Sequence, residues 1–346
     1  MKSTINATQT IRSITAALLV LAGTAFAVTS AHADTYSWEN LQSDIAGVAQ
    51  HVDSNLVNPW GMAASSSGST IWVSDNGTGV STLYAQDGTA NSLVVTIPGK
   101  NRRETGNPTG MVRNPTSFFN VTLNGNSQPS RFIFVSEDGN ITGWNPTLDP
   151  NNAIVAVRAN GGNVYKGVTL GMANGHNFLY AANFKSGHVD VFDENFHAVN
   201  MSFADSSIPR DFAPFGIRNI NGEIFVTYAK QGPGKHDDVP GPGNGFINVF
   251  DTSGHLLRHL VSHGNLNSPW GLALVGTELW VGNFGDGKIN NYDPTTGAFI
   301  ETISRADGSP LVFDGLWDLL PLGAGVYFTA GIGDEEHGLF GIITED

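Results

Sequence analysis

Cysteine is absent from the 346 residues, which removes thiolate nucleophiles, thiolate metal ligands and disulfides at once. Charge is scarce as well. Charged side chains make up 14% of the chain, and Asp and Glu outnumber Lys and Arg by 31 to 17, for a formal net charge of −14. That balance disfavours nucleic acid and anionic membrane as partners; it is compatible with cations or with small neutral ligands such as glycans. Past the first thirty residues no apolar run approaches the roughly 18 residues of a membrane span. There is no Gly-x-Ser-x-Gly elbow, no His-Glu-x-x-His and no His-x-His spacing, so a serine-hydrolase elbow and a helical zinc site are both missing. Helical 3.6-residue periodicity is also missing after residue 33.

Residues 1–33 read as an export leader. Lys2 and Arg12 form a basic start, Ile14 to Val28 is apolar and small, and Ala31-His32-Ala33 supplies a small-x-small cleavage pattern. The expected mature protein starts near Asp34, is periplasmic or secreted, and makes no membrane contact after cleavage. Residues 34–346 show no composition break and are expected to form one domain.

What is present is a repeat of about fifty residues. Asn58-Pro59-Trp60-Gly61 leads into Ile71 to Gly77, and Ser268-Pro269-Trp270-Gly271 leads into Leu279 to Gly285. Four other copies align on Gly110, Gly167, Gly216 and, in the equivalent slot, Asp318. Each copy has short runs alternating with period two, separated by turn dipeptides such as Asp87-Gly88. The pattern predicts an all-β fold, a six-bladed β-propeller. Copy six lacks a fourth strand, and Thr35 to Asp44 precedes copy one without a partner. The mature N-terminal strand is therefore expected to complete the last blade and close the ring, removing two exposed edges.

The stretches Asn55 to Gly61, Val73 to Val80, Tyr228 to Gln231, Lys235 to Val239, Pro269 to Ala273, Gly282 to Gly287 and Asp314 to Trp317 carry a resemblance. In fold the chain resembles NHL-type and gluconolactonase-like six-bladed propellers. More closely it resembles a family of exported bacterial propellers of unassigned activity, some with a PEP-CTERM sorting tail. No such tail precedes Asp346, so surface anchoring is not carried over. The gluconolactonase-like enzymes hold a metal on the propeller axis, so the resemblance implies an axial cation here.

In a propeller the entry to each inner strand and the turn between the second and third strands share one face. Here those connections carry Asn58, Asn107, Asp211 and Asp314, and then Asp75, Asn76, Glu137, Asp138, Asn183, Lys185, Lys230, Asn283, Asp286, Asp334, Glu335 and Glu336. Oxygen ligands converging on an axis suit a hard cation such as Ca2+; the candidate metal set is Asp75, Asn76, Asn183 and Asp334. The same residue types also favour turns by bonding to their own backbone. The copy-four loop, Gln231 to Gly245, replaces a turn of a few residues and places Lys235, His236, Asp237 and Asp238 side by side. His236, Asp237 and Asp238 are the candidate catalytic group, with His236 or Asp238 acting on protons. Lys185, Lys230, Lys235, Asn283 and Asp286 are the candidate ligand contacts. Among six-bladed propellers the zinc-dependent amidating lyase uses several axial histidines; only His236 and His337 fall on suitable loops here. Trp60, Trp270 and Trp317 could stack a sugar, but their matching repeat positions favour packing between blades. Two functions follow: a binding or scaffold protein with its ligand on the polar face over the channel, or a metal-dependent hydrolase or lyase of the lactonase kind. The repeat leaves the oligomeric state open.

Overall fold

A computed structural model describes Met1 and residues 34–101, 104–159 and 161–346; apart from Met1, the leader expected over residues 1–33 lies outside them. The described residues contain no helix and therefore none long and apolar enough to cross a membrane. The short alternating runs form six sheets of four or five strands. Blade one is Pro59–Ala64, Thr70–Asp75, Val80–Ala85 and Val95–Thr96; blade four is Phe212–Ile220, Glu223–Lys230, Gly245–Asp251 and Leu256–Ser262. Blades two, three and five repeat the order with inner strands Pro108–Arg113, Tyr165–Ala173 and Pro269–Val275. Blade six begins at Leu316–Leu322 and Gly325–Ala330. It is closed as expected: Tyr36–Ser43 lies antiparallel to Leu339–Glu345, with Tyr36 opposite Glu345 and Ser43 opposite Leu339.

Each blade buries both faces against its neighbours. One apolar cluster fills each of the six junctions between blades, for example Trp72, Met111 and Phe132 between blades one and two, and Leu41, Met62, Tyr84 and Phe340 between one and six. A seventh cluster lies apart from these, where Trp60, Phe184, Phe215, Trp270 and Trp317 meet with Phe284. Trp60 stacks on Trp317 with ring centroids 3.4 Å apart, and Phe284 stacks on the same indole at 4.1 Å. These tryptophans come from three different inner strands and touch one another directly. They plug the axis, whereas the repeat pattern had placed them between neighbouring blades.

The repeated glycines mark the waist of the ring. A Cβ on Gly61 would lie 2.9 Å from the Met111 amide nitrogen, and one on Gly216 would lie 2.0 Å from the Trp270 carbonyl oxygen. Gly110, Gly167 and Gly271 abut the next inner strand in the same way. Only a residue without a side chain permits backbones this close. Five blades use glycine there; the sixth uses Asp318.

One element was not anticipated. Asn120–Leu123 and Asn126–Pro129 form a hairpin inserted into blade two. Its turn, Asn124-Gly125, has φ of 51° and 81°, the left-handed pair that Asn-Gly favours. The hairpin brings Phe119 and Val121 into the junction between blades two and three.

Candidate functional site

The site follows from a backbone bond made six times. In each blade the residue just after the second strand donates its amide to the loop entering the inner strand: Asn76 to Asn58, Glu137 to Asn107, Phe184 to Val164, Gln231 to Asp211, Phe284 to Ser268, and Gly331 to Gly315. These six residues form one ring of equivalent positions. The residues just before the waist form a second: Trp60, Thr109, Lys166, Phe215, Trp270 and Trp317. Aromatic residues fill most of the blade-four and blade-five side. Asn76, Glu137 and Lys166 make the other side polar.

A chain of side-chain hydrogen bonds joins these polar positions. The Trp317 indole Nε1 donates to Asn58 Oδ1 at 2.9 Å, and Asn58 Nδ2 donates to Glu335 Oε2 at 2.7 Å. Asn76 Nδ2 donates to Glu137 Oε2 at 3.0 Å, and Lys166 Nζ donates to Glu137 Oε1. The Lys166 ammonium also lies 5.0 Å from the centre of the Trp60 ring and 5.7 Å from that of Phe184, where the negative ring faces stabilise it.

The long loop of blade four reaches over this floor. The Val239 amide donates to Lys230 at 2.8 Å, the Gly232 amide to Asp237 at 2.8 Å, and the Gly241 amide to Asn267 Oδ1 at 2.6 Å. Gln231 Nε2 also donates to the Phe184 carbonyl. The loop is thus a bonded arm that presents His236 at its tip. His236 Nδ1 lies 2.7 Å from Asp237 Oδ1 and 3.9 Å from Glu137 Oε1. One ligand atom each from Glu137, His236 and Asp237 lie within 4.8 Å of one another.

The electrostatics are unbalanced. Three carboxylates, Glu137, Asp238 and Glu335, surround one ammonium. Burial pushes the Asp238 carboxyl above the usual carboxylate range, while Ser268 and Lys166 pull it down. Burial likewise raises Glu335, with the Asn58 hydrogen bond opposing and the Glu137 charge adding to the rise. Asp238 Oδ2 and the Ser268 hydroxyl are both shut off from solvent, near enough for Ser268 to lower the carboxyl but without a well-formed hydrogen bond between them. An enclosed acceptor so placed is costly, and a protonated carboxyl or a bound ligand removes that cost.

The residues singled out in the sequence separate into three groups. His236, Asp237, Asp238 and Asn76 come together at the axis. Asp75, Asn183 and Asn283 do not: each ends a second strand one residue before the axial ring, so the period of two turns it into its blade. There Asp75 Oδ2 accepts the Thr82 amide at 3.0 Å, Asn183 Nδ2 donates to Asp190 at 2.9 Å, and Asn283 Nδ2 donates to the Asn265 carbonyl at 2.8 Å. The others are not bonded to the cluster among the described residues. Lys185, Lys235 and Asp334 are exposed, Lys230 is 3.8 Å from Asp211, and Asp286 is 3.4 Å from Lys288. His337 bonds Asp44 next to the closing strand. Of the four residues assigned to calcium, Asp75 and Asn183 are therefore turned into their blades and away from Asn76. The set that is gathered includes an imidazole, which suits borderline metals better than calcium.

Lys166 was overlooked in the sequence. Its signal was its position before the waist glycine, where the other copies read Trp, Thr, Phe, Trp and Trp. Ser207, His259 and Asp205 do not form a serine relay. Ser207 Oγ and Asp205 Oδ2 meet the same ring nitrogen of His259, at 3.4 and 2.9 Å, whereas a relay needs both nitrogens.

Fold and axial site together define a six-bladed β-propeller with a polar cluster on the face where the inner strands begin. The chain is 32% identical over 319 residues to Uncharacterized protein L690 of Acanthamoeba polyphaga mimivirus, covering 86% of this chain and 83% of that protein. It is 30% identical to Uncharacterized protein R648 of the same virus, covering 90% and 81%. The chain belongs to the family of these two proteins. No family model matches it. In fold it is similar to a gluconolactonase of Xanthomonas campestris, with a TM-score of 0.54, 14% identity, and 84% and 87% of the two chains covered. It is also similar to virginiamycin B lyase from Staphylococcus aureus, with a TM-score of 0.52, 18% identity, and 82% and 79% covered.

Proposed function

We propose that this is an exported binding protein whose small polar ligand docks on the axial cluster beneath the blade-four arm. The supporting observation is the excess of acceptors: the charges of Glu137, Asp238 and Glu335 all act with the single Lys166 ammonium, and Asp238 Oδ2 is enclosed with only the Ser268 hydroxyl near it. The ligand therefore brings donors, as an ammonium group or as several hydroxyls. Sugar stacking on Trp60, Trp270 or Trp317 is not part of this reading, because all three rings are buried. Titration calorimetry against a panel of monosaccharides, aldonolactones and small amines tests it, using wild type and His236→Ala/Asp237→Ala. The replaced side chains are 48% and 81% exposed, so the double variant keeps its melting temperature and loses the ligand. If no panel member binds wild type, or if the variant binds equally well, the reading fails.

A second reading has one observation behind it: Glu137, His236 and Asp237 offer ligand atoms close enough for one metal ion. A divalent ion there would polarise an ester or lactone carbonyl, and the likeness to a gluconolactonase and a lyase supports that choice of substrates to try. Metal analysis after purification, then lactone turnover with and without chelator, decides between the two. Chelator-sensitive turnover favours the enzyme; a metal-free protein without turnover removes it.

A further inference from the structure

The axis opens again below the glycine waist, on the face where the inner strands end. There the second halves of those strands enclose a cavity of about 200 Å3. Its walls are mixed: Met62, Met111, Val168 and Leu272 are among the apolar part, and it holds three charged side chains, Arg113, Arg218 and Asp318. The waist and the aromatic plug separate it from the cluster on the opposite face.

Asp318 is the one break in the waist and explains how Arg218 is held. Its Oδ2 accepts the Met62 amide at 2.8 Å, and its Oδ1 accepts the Leu319 amide at 2.8 Å and Arg218 Nη2 at 2.6 Å. The carboxylate is fully engaged and fixes the guanidinium from blade four across the channel. The other nitrogens of Arg218 have no acceptor among the described residues, and neither does Arg113, a partly exposed residue. In a chain with 31 acidic and 17 basic residues, two arginines against one engaged carboxylate leave this chamber with one positive charge in excess. Guanidinium forks match the two oxygens of a carboxylate, and the apolar part of the walls matches a short hydrocarbon body.

We propose that this chamber binds a small organic carboxylate, with its head on Arg113 and Arg218 and its hydrocarbon part on Met62 and Met111. The five methionines of the chain provide the test. In protein labelled at the methionine methyl carbons, titrated benzoate should shift the Met62 and Met111 signals saturably and leave Met172 and Met201, which do not line the cavity, in place. Benzamide, the neutral isostere, and inorganic phosphate, which lacks the hydrocarbon body, should each bind about tenfold more weakly or worse. Arg113→Gln should keep the melting temperature, because Arg113 has no partner to lose, and should weaken benzoate about tenfold. The proposal is overturned if benzoate gives no saturable shift, if Met172 and Met201 move with the other two, if benzamide or phosphate binds as well as benzoate, or if Arg113→Gln binds unchanged.

Discussion

The Lys166 ammonium is held against the Glu137 carboxylate on a floor of aromatic rings, the two side chains only 3% and 13% exposed. Such a pair contributes little net stability but is costly to break from one side. Glu137→Gln strands a buried cation and is expected to cost about 3 kcal/mol in urea denaturation, the lower end of the range for a broken buried pair, because Asp238 and Glu335 stay nearby. Lys166→Met with Glu137→Gln removes both charges and should recover most of that loss. An additive double-mutant cycle would show that the two residues act separately.

The carboxyl groups define a second expectation. Asp75 is fully buried with Oδ1 unpartnered, and burial raises it well above the ordinary carboxylate range, with the Asp53 charge adding to the rise. A group raised on folding stabilises the protein while protonated. That contribution is complete below the unfolded-state value and is lost as pH rises through the folded-state value. Asp75→Asn mimics the protonated acid and keeps an oxygen for the Thr82 amide. Its melting temperature should match wild type near pH 4 and exceed it at pH 8. A variant that melts lower at both values would mean that Asp75 is held as a carboxylate.

The waist offers a steric test. Gly216→Ala places a methyl group 2.0 Å from a backbone oxygen of the next blade. Backbone cannot move aside as a side chain can, so the loss should be at least about 3 kcal/mol. Gly234→Ala, on the blade-four arm, meets nothing within 4 Å and should change stability by no more than about 0.5 kcal/mol. Chemical denaturation of the two variants side by side checks the contrast. Equal losses would remove the waist as a point of close approach.

These contrasts also show what was readable beforehand. Ring, blade number and closing strand followed from Pro-x-Gly, the period-two runs and the unpaired N-terminal segment, because each is a local pattern. The hairpin at Asn124-Gly125 was equally local and was passed over. The site was harder for a geometric reason. Asp75 and Asn76 are neighbours in sequence, yet one is turned into the blade and the other meets Glu137 on the axis. A shift of one residue reverses the direction of a side chain in a strand, and turn-rich Asp and Asn give no sign of which register holds. Lys166 was readable only by asking which copy departs from Trp, Thr or Phe before the waist. The loop residues His236 to Asp238 stood out because an insertion breaks the repeat.

Closure by Tyr36–Ser43 carries the last expectation. This strand supplies the outer partner of Leu339–Glu345 and buries Leu41 among Met62, Tyr84 and Phe340. It also anchors the turn before that strand, since Asp44 accepts the Gly338 amide at 2.8 Å. Removing residues 34–45 would leave a long unpaired edge and an uncovered apolar junction, the combination that promotes edge-to-edge association. The shortened protein should scatter light at concentrations where the full ring stays clear, and should melt at a lower temperature. A synthetic peptide spanning residues 34–45, added in excess, should restore both by strand addition, while a peptide with Leu41→Asp should not. A shortened ring that remains clear and melts normally would show that blade six is complete with three strands.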